Sequence, residues 1–323
     1  MKITVLGCWA PYPRAGGACS GYLLEGGGRY IMLEAGSGTL SRLMELMDFR
    51  QLDAVIVTHF HHDHYLDLFQ LRHAIEGARR DGSLDNPVAL YIPEEPAGEY
   101  NLLDKYCEAF QITKIESLEK ETSAGSTFRR LELDGLTISF APTKHLIPGY
   151  AVSFQEHNSA AGKIVFSGDS APNEDLVALA EGADLFLCEA SGLNKDAAYL
   201  ANAHCTAGQA GELARAAGVS RLLLTHFWPE YDVEQLCAEA AAGFESPQTQ
   251  PKAKNTSGAR KLTQPEAKKT SPVPGEGFFD FSKAATSDAK GAYSSTQLSC
   301  ARKLTQLKAK KTSPVEEMVT YDV

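Results

Sequence analysis

Two periodicities organise the first 244 residues. Short apolar runs rich in Val, Ile, Leu and Phe, bounded by Gly, Pro, Asp or Asn, predict strands at 3–6, 22–24, 30–33, 54–57, 88–92, 136–140, 151–154, 163–166, 185–187 and 222–224. Between them, apolar positions at helical spacing predict helices near 39–48, 63–79, 98–110, 173–181, 206–217 and 232–242. Thr206 is placed to cap the helix that follows it, and Gly218 to close it. Many strands interspersed with helices predict a layered α/β domain.

The pattern is lost from Glu245 onward. Residues 248–314 hold only eight Leu, Val or Phe and no Ile. Such a segment buries too little apolar surface to offset the entropy of ordering it. It also repeats itself: residues 259–273 recur at 301–315 with 13 of 15 positions identical. The repeat has no apolar face on which copies could stack, so it predicts a disordered basic insertion over 248–313 rather than a solenoid. In 314–323 β-branched and aromatic residues return, which predicts that the chain rejoins the 1–247 domain as a final strand.

Charge follows the same division. Residues 1–247 carry 18 basic and 34 acidic side chains, residues 248–323 carry 13 and 7. An acidic body is a poor generic surface for nucleic acid, whose phosphates call for clustered Lys and Arg. No apolar run is long enough to span a bilayer, and the opening residues Met1-Lys-Ile-Thr-Val-Leu-Gly7 read as a strand rather than a signal peptide. The seven cysteines are scattered, with no Cys-x-x-Cys pair, which predicts reduced thiols and a cytoplasmic location.

Chemistry concentrates in Thr58-His-Phe-His-His-Asp-His64, between a buried strand and a helix. His59 and His61 alternate onto one face of an extended segment, while Asp63 and His64 turn onto the first helical turn. Imidazole and carboxylate are the ligands borderline metals such as Zn²⁺ prefer. Two metals need more ligands than one loop supplies. His145, Asp169 and His226 each follow another apolar strand. His62 alternates away from this face, and His73 and His157 sit in helix and loop contexts with surface or local roles.

These residues resemble the metallo-β-lactamase superfamily, and within it the branch around ribonuclease Z. The resemblance covers about residues 1–244 and rests on Val5-Leu-Gly7, Leu33-Glu-Ala-Gly-Ser-Gly38, Thr58–His64, His145, Gly168-Asp169 and Leu224-Thr-His226. It implies an αββα four-layer sandwich, with the two halves, roughly 1–140 and 141–323, each giving one sheet, and the strand in 314–323 completing the second. It also implies two divalent metal ions, with zinc favoured and Mn or Fe as alternatives. One would be held by His59, His61, His145 and Asp169, the other by Asp63, His64, Asp169 and His226, with Asp169 bridging. Cys188-Glu-Ala-Ser191 and Ala203-His-Cys-Thr-Ala207 resemble two further stretches of that branch. There the matching glutamate and histidine form a pair beside the metals, here Glu189 and His204. Glu34 stands where the family has aspartate and Cys188 where it has histidine. Only 24 positions separate His145 from Asp169, so the long arm with which ribonuclease Z grips tRNA is missing.

The resemblance implies a phosphodiesterase in which a metal-bridged hydroxide attacks phosphorus. Asp63 would orient it, and His204, held by Glu189, would protonate the leaving alkoxide. The substrate would be a small phosphodiester or an RNA 3′ end, and a second copy of the chain is the expected partner. Two rivals share the metal site: a carboxyl-ester, lactone or thioester hydrolase, and a non-catalytic metal-stabilised scaffold. A di-iron redox centre is disfavoured, because relatives of that kind carry Glu where this chain has His61.

Overall fold

Each central strand is apolar on both faces, and that sets the layering. In β2 (Gly21–Gly26), Tyr22 and Leu24 join one core while Leu23 joins another. Strands with period-two side chains and both faces buried must be covered on both sides. The computed structural model describes residues 1–123, 125–157, 162–245 and 319–323, all within one unit of the chain. The insertion expected at 248–313 lies outside the described residues.

Two seven-stranded mixed sheets face each other. The first runs in the order β14 (Thr320–Asp322), β1 (Lys2–Gly7), β2, β3 (Arg29–Leu33), β4 (Ala54–Ile56), β5 (Val88–Ile92), β6 (Phe110–Lys114). The second runs β13 (Leu222–Thr225), β12 (Leu185–Glu189), β11 (Lys163–Phe166), β10 (Tyr150–Glu156), β9 (Leu136–Pro142), β8 (Ser126–Leu133), β7 (Glu119–Ser123). Between them lies a core that includes Tyr22, Leu24, Ile31, Ile56, Phe140, Phe154, Phe166 and Leu187. Outside the first sheet pack α1 (Thr39–Leu46), α3 (Leu68–Arg80) and α4 (Ala97–Leu103), through Leu43, Leu71, Ile75 and Leu103. Outside the second pack α5 (Glu174–Ala180), α7 (Ala207–Ala216) and α8 (Val233–Glu245), through Leu176, Leu213 and Leu236. This is the expected αββα sandwich. Thr206 caps α7 in a capping box with Gln209, and Gly218 follows it at φ 64°, as the sequence predicts.

Four expectations are corrected. The second sheet starts at Glu119, not near 141, because β7 and β8 form a hairpin rich in charged residues that lacks an apolar run. The helix expected at 98–110 ends at Leu103, and Phe110 opens β6. The last strand pairs not with the second sheet but with β1 of the first, antiparallel, with Ile3 opposite Tyr321. Thiols are free at Cys8, Cys19, Cys107, Cys188 and Cys205, but Cys237 is disulfide-bonded. That departs from the expectation of reduced thiols throughout.

Candidate metal centre

The candidate residues all come from the carboxyl ends of strands, where open α/β sheets place their ligands. The 58–64 segment leaves β4 and enters the short helix α2 (His62–Tyr65). His145 follows β9, Asp169 follows β11, Glu189 ends β12 and His226 follows β13. Two close approaches hold these ends together. A Cβ on Gly36 would lie 2.1 Å from the Asp63 carbonyl oxygen, so only glycine lets the loop after β3 meet α2. Gly168 has φ 55°, and a Cβ there would lie 2.5 Å from the Tyr150 carbonyl. Two non-glycine residues, Glu34 at φ 60° and His226 at φ 58°, also take the left-handed conformation, a strain that concentrates at functional sites.

Seven side chains converge in two overlapping groups. His59, His61, His145 and Asp169 offer ligand atoms all within 4.8 Å of one another. His59 Nε2 lies 3.2 Å from His61 Nδ1, which lies 3.0 Å from His145 Nε2. Asp169 Oδ2 is 3.4 Å from His59 Nε2. Asp63, His64 and His226 form the second group. In it His64 Nε2 is 3.2 Å from His226 Nε2, and Asp63 Oδ2 is 3.4 Å from His226 Nε2. Asp169 reaches this group too, with Oδ2 3.1 Å from His226 Nε2 and Oδ1 3.4 Å from His64 Nε2.

These spacings fit a metal. Ligand bonds of about 2.0–2.2 Å in a tetrahedron put neighbouring ligand atoms about 3.3–3.6 Å apart. Asp169 Oδ1 and His64 Nδ1 are buried and have no hydrogen-bond partner among the described residues, a costly arrangement unless a cation faces the carboxylate. Hydroxyls and carboxylates orient the ligands from behind. Thr58 Oγ1 donates to buried Glu34 and lies 3.1 Å from His59 Nδ1. Glu34 Oε1 is also 3.5 Å from His64 Nδ1. The Ala203 carbonyl accepts from His145 Nδ1 at 2.7 Å.

Electrostatics divide the groups. Burial pushes His59 and His61 below the ordinary imidazole value and His145 to about 3, so these rings are neutral and able to take up a metal. At His64 and His226 burial works the same way, but Asp169 and Asp63 override it. Without a metal His64 is raised well above its ordinary value and His226 to about 10. Burial opposes ionisation of Asp63 and Asp169, yet the facing histidines hold both carboxyls well below the usual range.

Beside the second group, His204 Nδ1 lies 3.1 Å from Glu189 Oε2 and 3.9 Å from Asp169 Oδ2. Glu189 is fully buried and also accepts from the Ser170 backbone N–H and the Ser191 hydroxyl. Burial opposes protonation of His204, but Glu189 outweighs it and raises the pKa. His204 also falls within ligand distance of Asp169 and His226. His62 is exposed, His73 lies on α3 with a side chain 63% exposed, and His157 hydrogen-bonds Thr137 and Glu132 away from the cluster. Sequence reasoning gave no role to Glu34, Thr58 or Ser191. Thr58 borders the histidine motif, and Glu34 and Ser191 lie in motif stretches, which is the signal that could have found them.

A histidine–carboxylate cluster able to hold divalent metal, at the strand ends of an αββα sandwich, defines a metal-dependent hydrolase. The chain matches the β-lactamase superfamily domain over residues 16–227 and belongs to that superfamily. It is 30% identical over 245 residues to the probable metallo-hydrolase YhfI of Bacillus subtilis, covering 76% of this chain and 94% of that protein. It is 30% identical over 292 residues to ribonuclease Z of Thermobifida fusca, covering 75% and 90%. The crystal structure of the YhfI protein superposes with a TM-score of 0.66 at 27% identity, covering 75% of this chain and 93% of that one. Among the described residues no helix is long and apolar enough to cross a membrane.

Proposed function

We propose that the protein is a dinuclear phosphodiesterase of the ribonuclease Z-like type. One ion would sit among His59, His61, His145 and Asp169, the other among Asp63, His64, Asp169 and His226. The nitrogen-rich donor set suits zinc. Bound there, such ions would supply Lewis-acid chemistry: a lowered water pKa and stabilisation of charge on phosphate oxygens.

The chain's own groups supply the rest. Asp63, held ionised by His64 and His226, presents a carboxylate that can orient the attacking water. Glu189 raises the pKa of His204 and so favours its protonated form, and its Nδ1 is engaged by that carboxylate, so Nε2 is the atom that would give a proton to the leaving alkoxide.

The observation that carries this reading is the buried Glu189 paired with His204, 3.9 Å from the carboxylate shared by both ligand groups. The relative named ribonuclease Z supports a phosphodiester substrate. Between β9 and Asp169 the chain spends its residues on His145's loop and the strands β10 and β11, and residues 1–247 carry 34 acidic against 18 basic side chains. A long polyanion gains little on such a surface, so a small diester is favoured over a folded RNA. Elemental analysis should find two ions per chain. Bis(p-nitrophenyl) phosphate should be hydrolysed faster than lactone or thioester panels. Preferential turnover of a lactone or thioester would replace the phosphodiester reading.

A further inference from the structure

One hydroxyl touches both halves of the site. Ser191 Oγ lies 2.5 Å from Glu189 Oε2, 2.8 Å from His226 Nδ1 and 3.4 Å from His204 Nδ1. Its backbone is stitched to the same two partners. The Ala190 N–H donates to the carbonyl of Thr225, the residue before His226, at 2.9 Å. The Ser191 N–H donates to the carbonyl of Cys205, the residue after His204, at 3.1 Å. The backbone that carries the hydroxyl is therefore held between these two segments by two hydrogen bonds.

A serine hydroxyl has one proton to give and lone pairs to receive with. The shortest of its contacts is to a carboxylate, the stronger acceptor, so the proton points at Glu189. The lone pairs then face His226, whose Nδ1 must carry the hydrogen that fills the 2.8 Å contact. With Nδ1–H engaged by Ser191, Nε2 is the nitrogen of His226 left to offer a lone pair to a cation, in the group where Asp169 and Asp63 lie 3.1 and 3.4 Å away.

We propose that Ser191 is a positioning residue: its hydroxyl fixes the Nδ1–H form of His226 for metal binding and ties that ligand to the Glu189–His204 pair. Capture of the second ion and placement of the proton donor thus share one hydroxyl. Thr58 and Glu34 form a similar hydroxyl–carboxylate arrangement behind His59, but it does not reach the proton donor. The proposal deepens the dinuclear reading and rests on it.

Wild-type protein, S191A and S191T are compared by Zn²⁺ titration against a chromophoric chelator, by elemental analysis after dialysis, and by thermal melting with and without metal. Threonine keeps the hydroxyl; alanine removes it. S191A should hold one ion as tightly as wild type and the second about 10–100-fold more weakly, the usual effect of losing a partner behind a ligand. S191T should bind both ions as wild type does. Unchanged affinity for both ions in S191A overturns the proposal. So does equal weakening in S191A and S191T, or a melting loss in S191A that is the same with and without metal. A wild-type protein that binds fewer than two ions overturns the dinuclear reading itself, a result distinct from the failure of Ser191 alone.

Discussion

In the proposed mechanism His204 has a task that can be removed without removing metal. Its Nδ1 faces Glu189, and the ligand groups are complete without it. His204→Ala should lower turnover of bis(p-nitrophenyl) phosphate about 10²–10⁴-fold, the usual worth of a positioned acid. Elemental analysis should find the metal content unchanged, and loss of an ion would make His204 a ligand instead. The histidines also predict an order of metal loss with pH. His64 and His226 bind protons tightly when no metal is present, so a cation must displace those protons to enter the second group. His59, His61 and His145 are already neutral. As pH falls, the ion in the Asp63–His64–His226 group should leave first, which metal titrations at several pH values would show. The sign for stability follows from the same shifts. In metal-free protein the raised values add stability that is complete below the ordinary imidazole pKa of 6.5 and fades as pH climbs toward the folded values, about 10 for His226. Melting of metal-free protein at graded alkaline pH checks it.

At the scale of elements, the site depends on strand ends that only glycine allows to meet. Gly168→Ala would place a methyl 2.5 Å from the Tyr150 carbonyl at a φ of 55°, just before Asp169. Denaturant unfolding should show a loss of about 1–3 kcal/mol, the cost of such backbone strain, with weaker metal binding alongside. This local geometry explains what the sequence made legible. The central strands announce themselves because both faces are buried, and the ligands stand out because each follows such a strand. β7 and β8 stayed hidden because Glu119-Lys-Glu-Thr-Ser123 offers charge where a core strand offers branched apolar groups. β6 was absorbed into a helix because Leu102, Leu103, Tyr106 and Phe110 recur at helical spacing, while tertiary pairing with β5 makes Phe110 the start of a strand. Ser191 was invisible for another reason. Serine is common, and nothing in the order of residues reveals that 190 and 191 hydrogen-bond to segments 35 and 14 positions away.

For the molecule as a whole, the last strand matters more than its length suggests. β14 covers the edge of β1, Tyr321 enters the core between the sheets, and Arg221 donates to the Asp322 carbonyl at 2.9 Å. Burying one such aromatic side chain is worth about 1.5–3 kcal/mol, whereas loop-closure cost grows slowly with the residues in between. A chain ending after residue 247 should therefore melt several degrees below full length. A chain lacking only 248–313 should melt with full length and keep its activity. Equal melting of the truncated and full-length chains would show that β14 adds nothing.

The pairing of β14 with β1 also brings residue 323 back to residue 1. The Met1 amino group donates to the Val323 carbonyl at 3.1 Å, and the Val323 N–H returns to the Met1 carbonyl at 2.8 Å. Two antiparallel strands whose ends touch lack only a turn to become a hairpin. A circular permutant that joins 323 to 1 through a short Asn-Gly turn, and opens between residues 246 and 318, keeps every strand pairing described above. It converts the contact of greatest sequence separation into one of the smallest. Because non-local pairing slows folding, the permutant should refold faster than the natural order of the chain while binding the same metals. Stopped-flow refolding of the two chains would measure the difference.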